Sequence, residues 1–214
     1  MLNTLLIANR GEISVRIIRA ARELGIRSVQ AFSEADRESQ AVNYADEAIC
    51  IGPPTAAKSY LNIEALINAA KRVNADAIHP GYGFLSENSS FAAAVESAGL
   101  IFVGPTSKTM TLMGNKISAR QTAKDVGIPI VPGSTVKIDN LQTAKRYAEN
   151  IGFPVMIKAA SGGGGKGIRQ ISRLDELEDY LPHAQREASS AFGDPSLFIE
   201  KAITNSRHIE VQVV

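Results

Sequence analysis

The sequence predicts an α/β protein: an open, mainly parallel sheet covered by helices, followed by the first part of a smaller α+β unit. Three observations carry that reading. Short apolar runs of strand length alternate with amphipathic stretches of helix length through the first half of the 214 residues. Glycines stand where the helices should stop. After "LIFVGP" (100–105) the texture changes, and two strand-like runs come to flank four consecutive glycines, Gly162 to Gly165. With 44% apolar residues the chain can bury a core in one large or two small domains. We place the boundary near residues 113 and 114, giving units 1–113 and 114–214.

In order, "TLLIAN" (4–9) is a strand and 12–24 a helix, with Ile13, Ile17, Ala20, Ala21 and Leu24 on one face and Gly25 just past its end. "SVQAFS" (28–33) and "EAICIG" (47–52) are strands two and three. "LNIEALINAAKRV" (61–73) is a helix whose Ile63, Leu66, Ile67 and Ala70 share a side. "ADAIHPG" (75–81) is a strand, "SSFAAAVESAG" (89–99) a helix, and "LIFVGP" a fifth strand. A helix over about 116–126 leads to "IPIVPG" (128–133), and another over 141–151 is closed by Gly152. There follow a strand (154–159), the glycine loop, a strand (167–171), a helix from about Leu174 and a strand (197–202). Ser172 and Asp175 have the spacing of a capping box for that last helix. "RHIEVQVV" (207–214) reads as a strand that stops at Val214 without a turn, as if cut in mid-domain. An exposed edge there predicts marginal stability or association.

Composition narrows the function. Charged residues are 21% and balance to +1, which argues against a nucleic-acid or membrane-surface protein held by net charge. Cys50 is the single cysteine, so no disulfide framework or CxxC metal pattern exists. No run approaches the roughly 18 apolar residues of a membrane span. The expectation is a soluble, cytoplasmic protein.

The glycine stretch is not a kinase-type P-loop. Aligning G-x-x-x-x-G-K-[ST] on Gly165-Lys166 puts Ala160 at the first glycine and Gly167 at the Ser/Thr, and "GIRQIS" reads as a strand where a helix should open. The dinucleotide fingerprint fails for the same lack of a helix. What remains is a loop between antiparallel strands, whose residues without Cβ bring backbone N–H groups close to an anion and let the loop open and shut. Lys158, at the end of the leading strand, can aim an ammonium at a phosphate. Lys166 supplies a second charge or only solubility. The plainer reading is a surface turn, although a tight hairpin needs only about two special residues.

"FPVMIKAASGGGGKG" (153–167) resembles the nucleotide-binding signature of the ATP-grasp superfamily, in the bicarbonate-using branch shared by biotin-dependent carboxylases and carbamoyl-phosphate synthetases. "IANRGEI" (7–13), "HPGYGFLSEN" (79–88) and "LMGNK" (112–116) resemble biotin carboxylase and separate the two. The resemblance runs the length of the chain. It implies a Rossmann-like preATP-grasp domain, then the N-terminal portion of an ATP-grasp domain. It implies ATP-dependent carboxylation of biotin, carried on a biotin carboxyl carrier protein or domain, with bicarbonate activated as carboxyphosphate. This is the first half-reaction of a carboxylase such as acetyl-CoA carboxylase, which serves fatty acid biosynthesis. Magnesium, with manganese as the alternative, a carboxyltransferase partner and a homodimer are implied too.

Residue by residue, the resemblance puts Lys116 and Lys158 on the ATP phosphates and Gly164 and Gly165 over them. Glu200, Lys201, Ala202 and Ile203 would contact the base, largely through main-chain groups, and His208 would contact the nucleotide. For Lys116 the physics agrees: with Asn115 as N-cap it lies in a first helical turn, where the macrodipole disfavours a cation unless a phosphate offsets it. Without the resemblance, Lys116 is an exposed lysine, "LFIEKAI" (197–203) a core strand ending in solvated charges, and His208 a structural or exposed histidine. His79 and Glu87 are catalytic by type but read as holding an inter-domain cleft. Glu34 and Asp36 follow the second strand, where an NAD enzyme places its ribose-binding acid, yet "ANRGEI" supplies a single glycine. Arg16, Arg19 and Glu23 form a solvated face of the first helix or a dimer contact.

In the family the magnesium-binding acids and the bicarbonate and biotin residues lie downstream of the position that Val214 occupies here. No catalytic or metal residue is therefore assigned, and the 214-residue piece alone is expected to be inactive. Two rivals stay open: another ATP-grasp ligase of carbamoyl-phosphate or purine-pathway type, and a non-enzymatic nucleotide-binding or assembly module.

Overall fold

A computed structural model describes residues 2–114, 116–160, 168–207 and 209; the side chains of residues 116, 117 and 192 lie outside that description. The chain forms two compact units, dividing between Thr111 and Leu112.

The first unit runs β1 (Thr4–Ile7), α1 (Glu12–Glu23), β2 (Arg27–Ser33), α2 (Gln40–Tyr44), β3 (Glu47–Gly52), α3 (Ile63–Arg72), β4 (Ala77–His79), α4 (Ser89–Ser97) and β5 (Ile101–Phe102). All pairings are parallel, in the order β3-β2-β1-β4-β5. Both faces of the central strands are covered, so β1 is buried at every residue and alternate side chains enter different cores. Leu6, Val29, Ala31 and Ile78 pack with Leu66 and Ala70 of α3 and with Phe91 and Val95 of α4. Leu5, Ile7 and Ala77 pack with Val15, Ile17, Ile18 and Ala21 of α1.

Gly25 ends α1 as expected. Its φ of 69 lies in the left-handed region that favours glycine, and from there its N–H reaches the Arg22 carbonyl while Ile26 N–H reaches Ala21. Asn74 (φ 51) does the same for α3.

The division between the units falls within α5 (Ser107–Gly114). The second unit then holds α6 (Lys116–Asp125), α7 (Leu141–Ile151), β6 (Val155–Ala159), β7 (Arg169–Ile171), α8 (Leu174–Phe192) and β8 (Leu197–Lys201). Its sheet is antiparallel, β7-β6-β8, and one face packs on α7 and α8 through Val155, Ile157, Ile171, Leu197 and Ile199, against Ala144, Ala148, Leu177 and Leu181. Among the described residues no helix is long and apolar enough to cross a membrane.

Two local expectations need correction. The sequence reading has neither α2 nor α5, although Pro105 and Thr106 signal the latter: the Thr106 hydroxyl accepts from Thr109 N–H (3.2 Å). The Ser172–Asp175 capping box does not form. The helix starts one residue later than that box requires, with Arg173 at the N-cap, so Glu176 is the residue that reaches back, accepting from Ser172 N–H at 2.8 Å. The strand expected over 207–214 is a different case. Of it only Arg207 and Ile209 are described, and neither belongs to a strand; His208 and the stretch from Glu210 to Val214 lie outside the described residues.

Gly25→Ala meets open space and should lose only the backbone preference, about 1 kcal/mol. At Gly81 (φ 66) an added Cβ would stand 2.8 Å from Asn9 Nδ2, which adds overpacking to the same backbone cost. Gly81→Ala should therefore cost about 2–4 kcal/mol by urea denaturation. Equal losses at both positions would refute this.

Candidate functional site

The antiparallel register of the second unit's sheet sorts its side chains by chemistry. Met156 lies opposite Glu200 and Lys158 opposite Phe198, so these four share the face turned away from the α7–α8 core. On that face Lys158 Nζ donates to Glu200 Oε1, and the carboxylate's other oxygen, Oε2, lies 3.8 Å from Arg120 Nη1. All three side chains are largely shielded, at 26% exposure for Lys158, 17% for Glu200 and 18% for Arg120. Two cations around one carboxylate leave positive charge in excess, in surroundings where charge is poorly solvated. An anion is the group this face can still accept.

Arg120 comes from α6 and is held from three sides. Its guanidinium stands 5.0 Å from the centre of the Phe198 ring, and Nη2 donates to the Val131 carbonyl. Sequence reasoning missed it. The available signal was spacing: Arg120 follows Lys116 by one helical turn.

Lys116 opens α6, but its side chain lies outside the described residues, as do Asn115, Gly164, Gly165, Lys166 and His208 altogether. Val214, past which the family's metal, bicarbonate and biotin residues are expected, is outside them as well. Lys201 points to the opposite face from Glu200, where Nζ donates to the carbonyls of Gly152 and Phe153, both at 2.9 Å. Its N–H and that of Ala202 donate to the carbonyls of Pro132 (2.7 Å) and Pro154 (3.0 Å). Ala202 is buried and Ile203 exposed. Glu200, expected to act chiefly through its main chain, thus also engages through its carboxylate.

In the first unit the sheet reverses its winding between β1 and β4, the place where open parallel sheets bind dinucleotides. Here Asn9 crosses that gap. Its Nδ2 donates to the carbonyls of Pro80 and Tyr82 at 2.7 Å each, while Oδ1 accepts from Arg10 N–H (2.8 Å). Asp36 is engaged as well: Oδ2 accepts from Ser33 Oγ (2.7 Å) and Tyr60 Oη (2.8 Å), with Arg10 at 3.5 Å. Burial pushes the Asp36 carboxyl up, but these hydrogen bonds and the Arg10 charge outweigh it and hold the group below the usual carboxylate range. Burial also pushes Tyr60 up to about 12. His79 is held below its usual value by burial, and its Nδ1 accepts from Gly81 N–H (3.0 Å), so the neutral ring carries its proton on Nε2. Glu87 is exposed. Among the described residues no three His, Cys, Asp or Glu side chains cluster as a metal site.

Residues 1–110 match the family model described as biotin carboxylase, N-terminal domain. The chain belongs to the biotin carboxylase family. Residues 115–214 match the model for the carbamoyl-phosphate synthase L chain, ATP binding domain. Biotin carboxylase 1 of Bacillus subtilis is 52% identical over 214 residues, which is all of this chain and 48% of that one. Among solved structures, the biotin carboxylase–β,γ-ATP complex of Campylobacter jejuni matches with a TM-score of 0.90 at 43% identity, covering 96% of this chain and 46% of that one. The biotin carboxylase domain dimer of Hydrogenobacter thermophilus 2-oxoglutarate carboxylase, with MgADP, ADP and bicarbonate, matches with a TM-score of 0.87 at 45% identity, covering 95% and 45%. The chain spans about half the length of the curated relatives it matches. The likeness to biotin carboxylases extends over both units.

Two of these contacts can be weighed by their effect on stability. Lys201→Met frees the Gly152 and Phe153 carbonyls and should cost about 1–2 kcal/mol in urea denaturation. Because the folded pKa of Asp36 is depressed, its contribution is fully present above the unfolded value of about 3.9 and is lost as pH falls through the lower folded value. The stability gap between wild type and Asp36→Asn should therefore hold from pH 7 to about 5 and shrink below about 4. A gap that widens on acidification would contradict it.

Proposed function

We propose that this chain is the nucleotide-binding part of a biotin carboxylase, which uses ATP to activate bicarbonate as carboxyphosphate and then carboxylates biotin on a carrier protein or domain. The observation that carries the reading is the cluster of Lys158 on β6 and Arg120 on α6 around Glu200 of β8, with β6 ending two residues before the glycine-rich segment 161–167, in a chain of the biotin carboxylase family.

In this reading Lys158 leaves Glu200 for an ATP phosphate, from a strand end that holds its stem rigid. Lys116 joins it from the first turn of α6, where a bound phosphate offsets the unfavourable helix dipole. Gly164 and Gly165 cover the phosphates with backbone N–H groups, and His208 contacts the nucleotide. Residues 200–203 border the base, with Ile203 offering an exposed apolar surface and the backbone its polar edge. Phosphoryl transfer needs positioning and charge stabilisation more than covalent help, so this part of the protein acts by holding the nucleotide. Magnesium supplies the clamp on the developing phosphoryl charge when bound. Its ligands are proposed to lie downstream of Val214, as the resemblance implies, and no step here runs through the metal.

The 214 residues alone are proposed to be inactive, since relatives are about twice as long. We assign units 1–113 and 114–214 to the preATP-grasp and ATP-grasp domains, and place the protein in the cytoplasm, consistent with its exposed free Cys50. A homodimer through Arg16, Arg19 and Glu23 of α1 is part of the proposal, as are a carboxyltransferase partner and acetyl-CoA carboxylase as the parent activity; the Hydrogenobacter thermophilus structure is itself described as a dimer.

The test is ADP release by the full-length protein with MgATP, with and without bicarbonate and free biotin, beside Lys158→Ala. Release that needs both additions and falls at least about a hundredfold in the variant is the expected result. Turnover indifferent to biotin would move the assignment to another ATP-grasp ligase, and ATP binding without turnover to a non-enzymatic module.

A further inference from the structure

We infer that Arg120 is a positioning residue for the nucleotide site, acting through Glu200 on Lys158. The inference rests on the reading of this face as the nucleotide site and adds a member to it. Glu200 has two cationic neighbours, one on each carboxylate oxygen: Lys158 at Oε1 and Arg120 at Oε2. An ammonium can share its three donors between Glu200 and a phosphate, but any move of Lys158 toward the phosphate weakens its hold on Glu200. Were Lys158 the sole partner, that step would strand a shielded carboxylate, and the pair would resist the ligand. Arg120 removes the obstacle. It keeps Glu200 paired while Lys158 moves, and it cannot follow Lys158, because the Val131 carbonyl and the Phe198 ring fix its guanidinium.

The slot that holds Arg120 is itself built. Gly133 is not among the glycines with positive φ, so its backbone does not demand glycine. Space does: a Cβ there would lie 3.0 Å from Arg120 Nη2, 2.9 Å from Phe198 Cζ and 3.0 Å from the Ile199 carbonyl oxygen. The 131–133 segment thus supplies a carbonyl for one edge of the guanidinium and a missing side chain for its bulk, and Gly133 bridges to Glu200 in the same stretch. A tether for α6 alone would not require the fork to be presented to Glu200.

The test is a double-mutant cycle in the full-length protein, read as the MgATP dissociation constant by calorimetry, with kcat and melting temperature measured alongside. Arg120→Ala should weaken MgATP binding about tenfold in the wild-type background, the scale of one charge-assisted contact. It should have little effect in the Glu200→Gln background, where Lys158 has no carboxylate to leave. Arg120→Lys, which keeps the charge but not the fork, should fall between wild type and alanine. A loss of equal size in both backgrounds, or a lowered melting temperature with unchanged MgATP affinity, would overturn the inference and leave Arg120 a structural tether. If Arg120→Ala does not fold, Arg120→Lys decides in the same way, by weakening binding only where Glu200 is present. Wild-type protein that binds no MgATP would remove the nucleotide-site reading and this inference together; wild-type binding that Arg120 does not influence would remove the inference alone.

Discussion

Lys158 and Glu200 meet because β6 and β8 pair antiparallel with Met156 opposite Glu200 and Lys158 opposite Phe198. Side chains alternate along each strand, so a slip of one residue would send both charges into the α7–α8 core and turn Ile157 and Ile199 outward. The apolar residues enforce the register: Val155, Ile157, Leu197 and Ile199 are each fully buried. Everything proposed for the second unit, from the cation aimed at a phosphate to the arginine behind the carboxylate, depends on that pairing. The edge lysine fits the same logic. Lys201 falls on the core side, and its ammonium escapes burial by reaching back to the Gly152 and Phe153 carbonyls.

The first unit shows how a parallel sheet with helices on both faces is used without a dinucleotide fingerprint. Where such sheets reverse their winding, the loops after two neighbouring strands diverge and leave a crevice. Here one buried amide, Asn9, ties the loop after β1 to the loop after β4, and Gly81 lacks the Cβ that would push it out. The acid that follows β2 is engaged by Ser33, Tyr60 and Arg10, and Arg10 also lies over the stacked rings of Tyr60 and Phe84. These contacts fill the crevice with hydrogen-bonded polar groups, which tie together the loops that carry "ANRGE" and "HPGYGF".

Charge in the second unit is arranged for exchange more than for stability. Shielded ion pairs recover little net free energy after desolvation, and a carboxylate between two cations is no exception. Its value lies in having an alternative partner ready when one cation is drawn away. The pairs nearer solvent, Lys137 with Asp194 and Arg173 with Asp175, contribute little.

Periodicity and punctuation determined most of the architecture. The strand–helix alternation marked all eight described strands, because apolar repeats of two and of about 3.6 residues are local properties, and Gly25 and Gly152 stand where α1 and α7 stop. The motifs carried the family, since four short patterns in order are a linear signal. Helices built from weak formers, such as α5 with its Ser, Thr and Gly, left little pattern to read, whereas α8 starts at Leu174 as read, with Glu176 in place of Asp175 reaching back to Ser172 N–H. Arg120 and Gly133 went unread for another reason, since the one-turn spacing of Arg120 from Lys116 gives its helix face but not its partners. Their meaning lies in distances between α6, the 131–133 segment and β8, which are separated by up to 80 residues of sequence. The sequence determined which residues are cationic, apolar or without a side chain; only the packing of helix against strand decided which of them share one carboxylate.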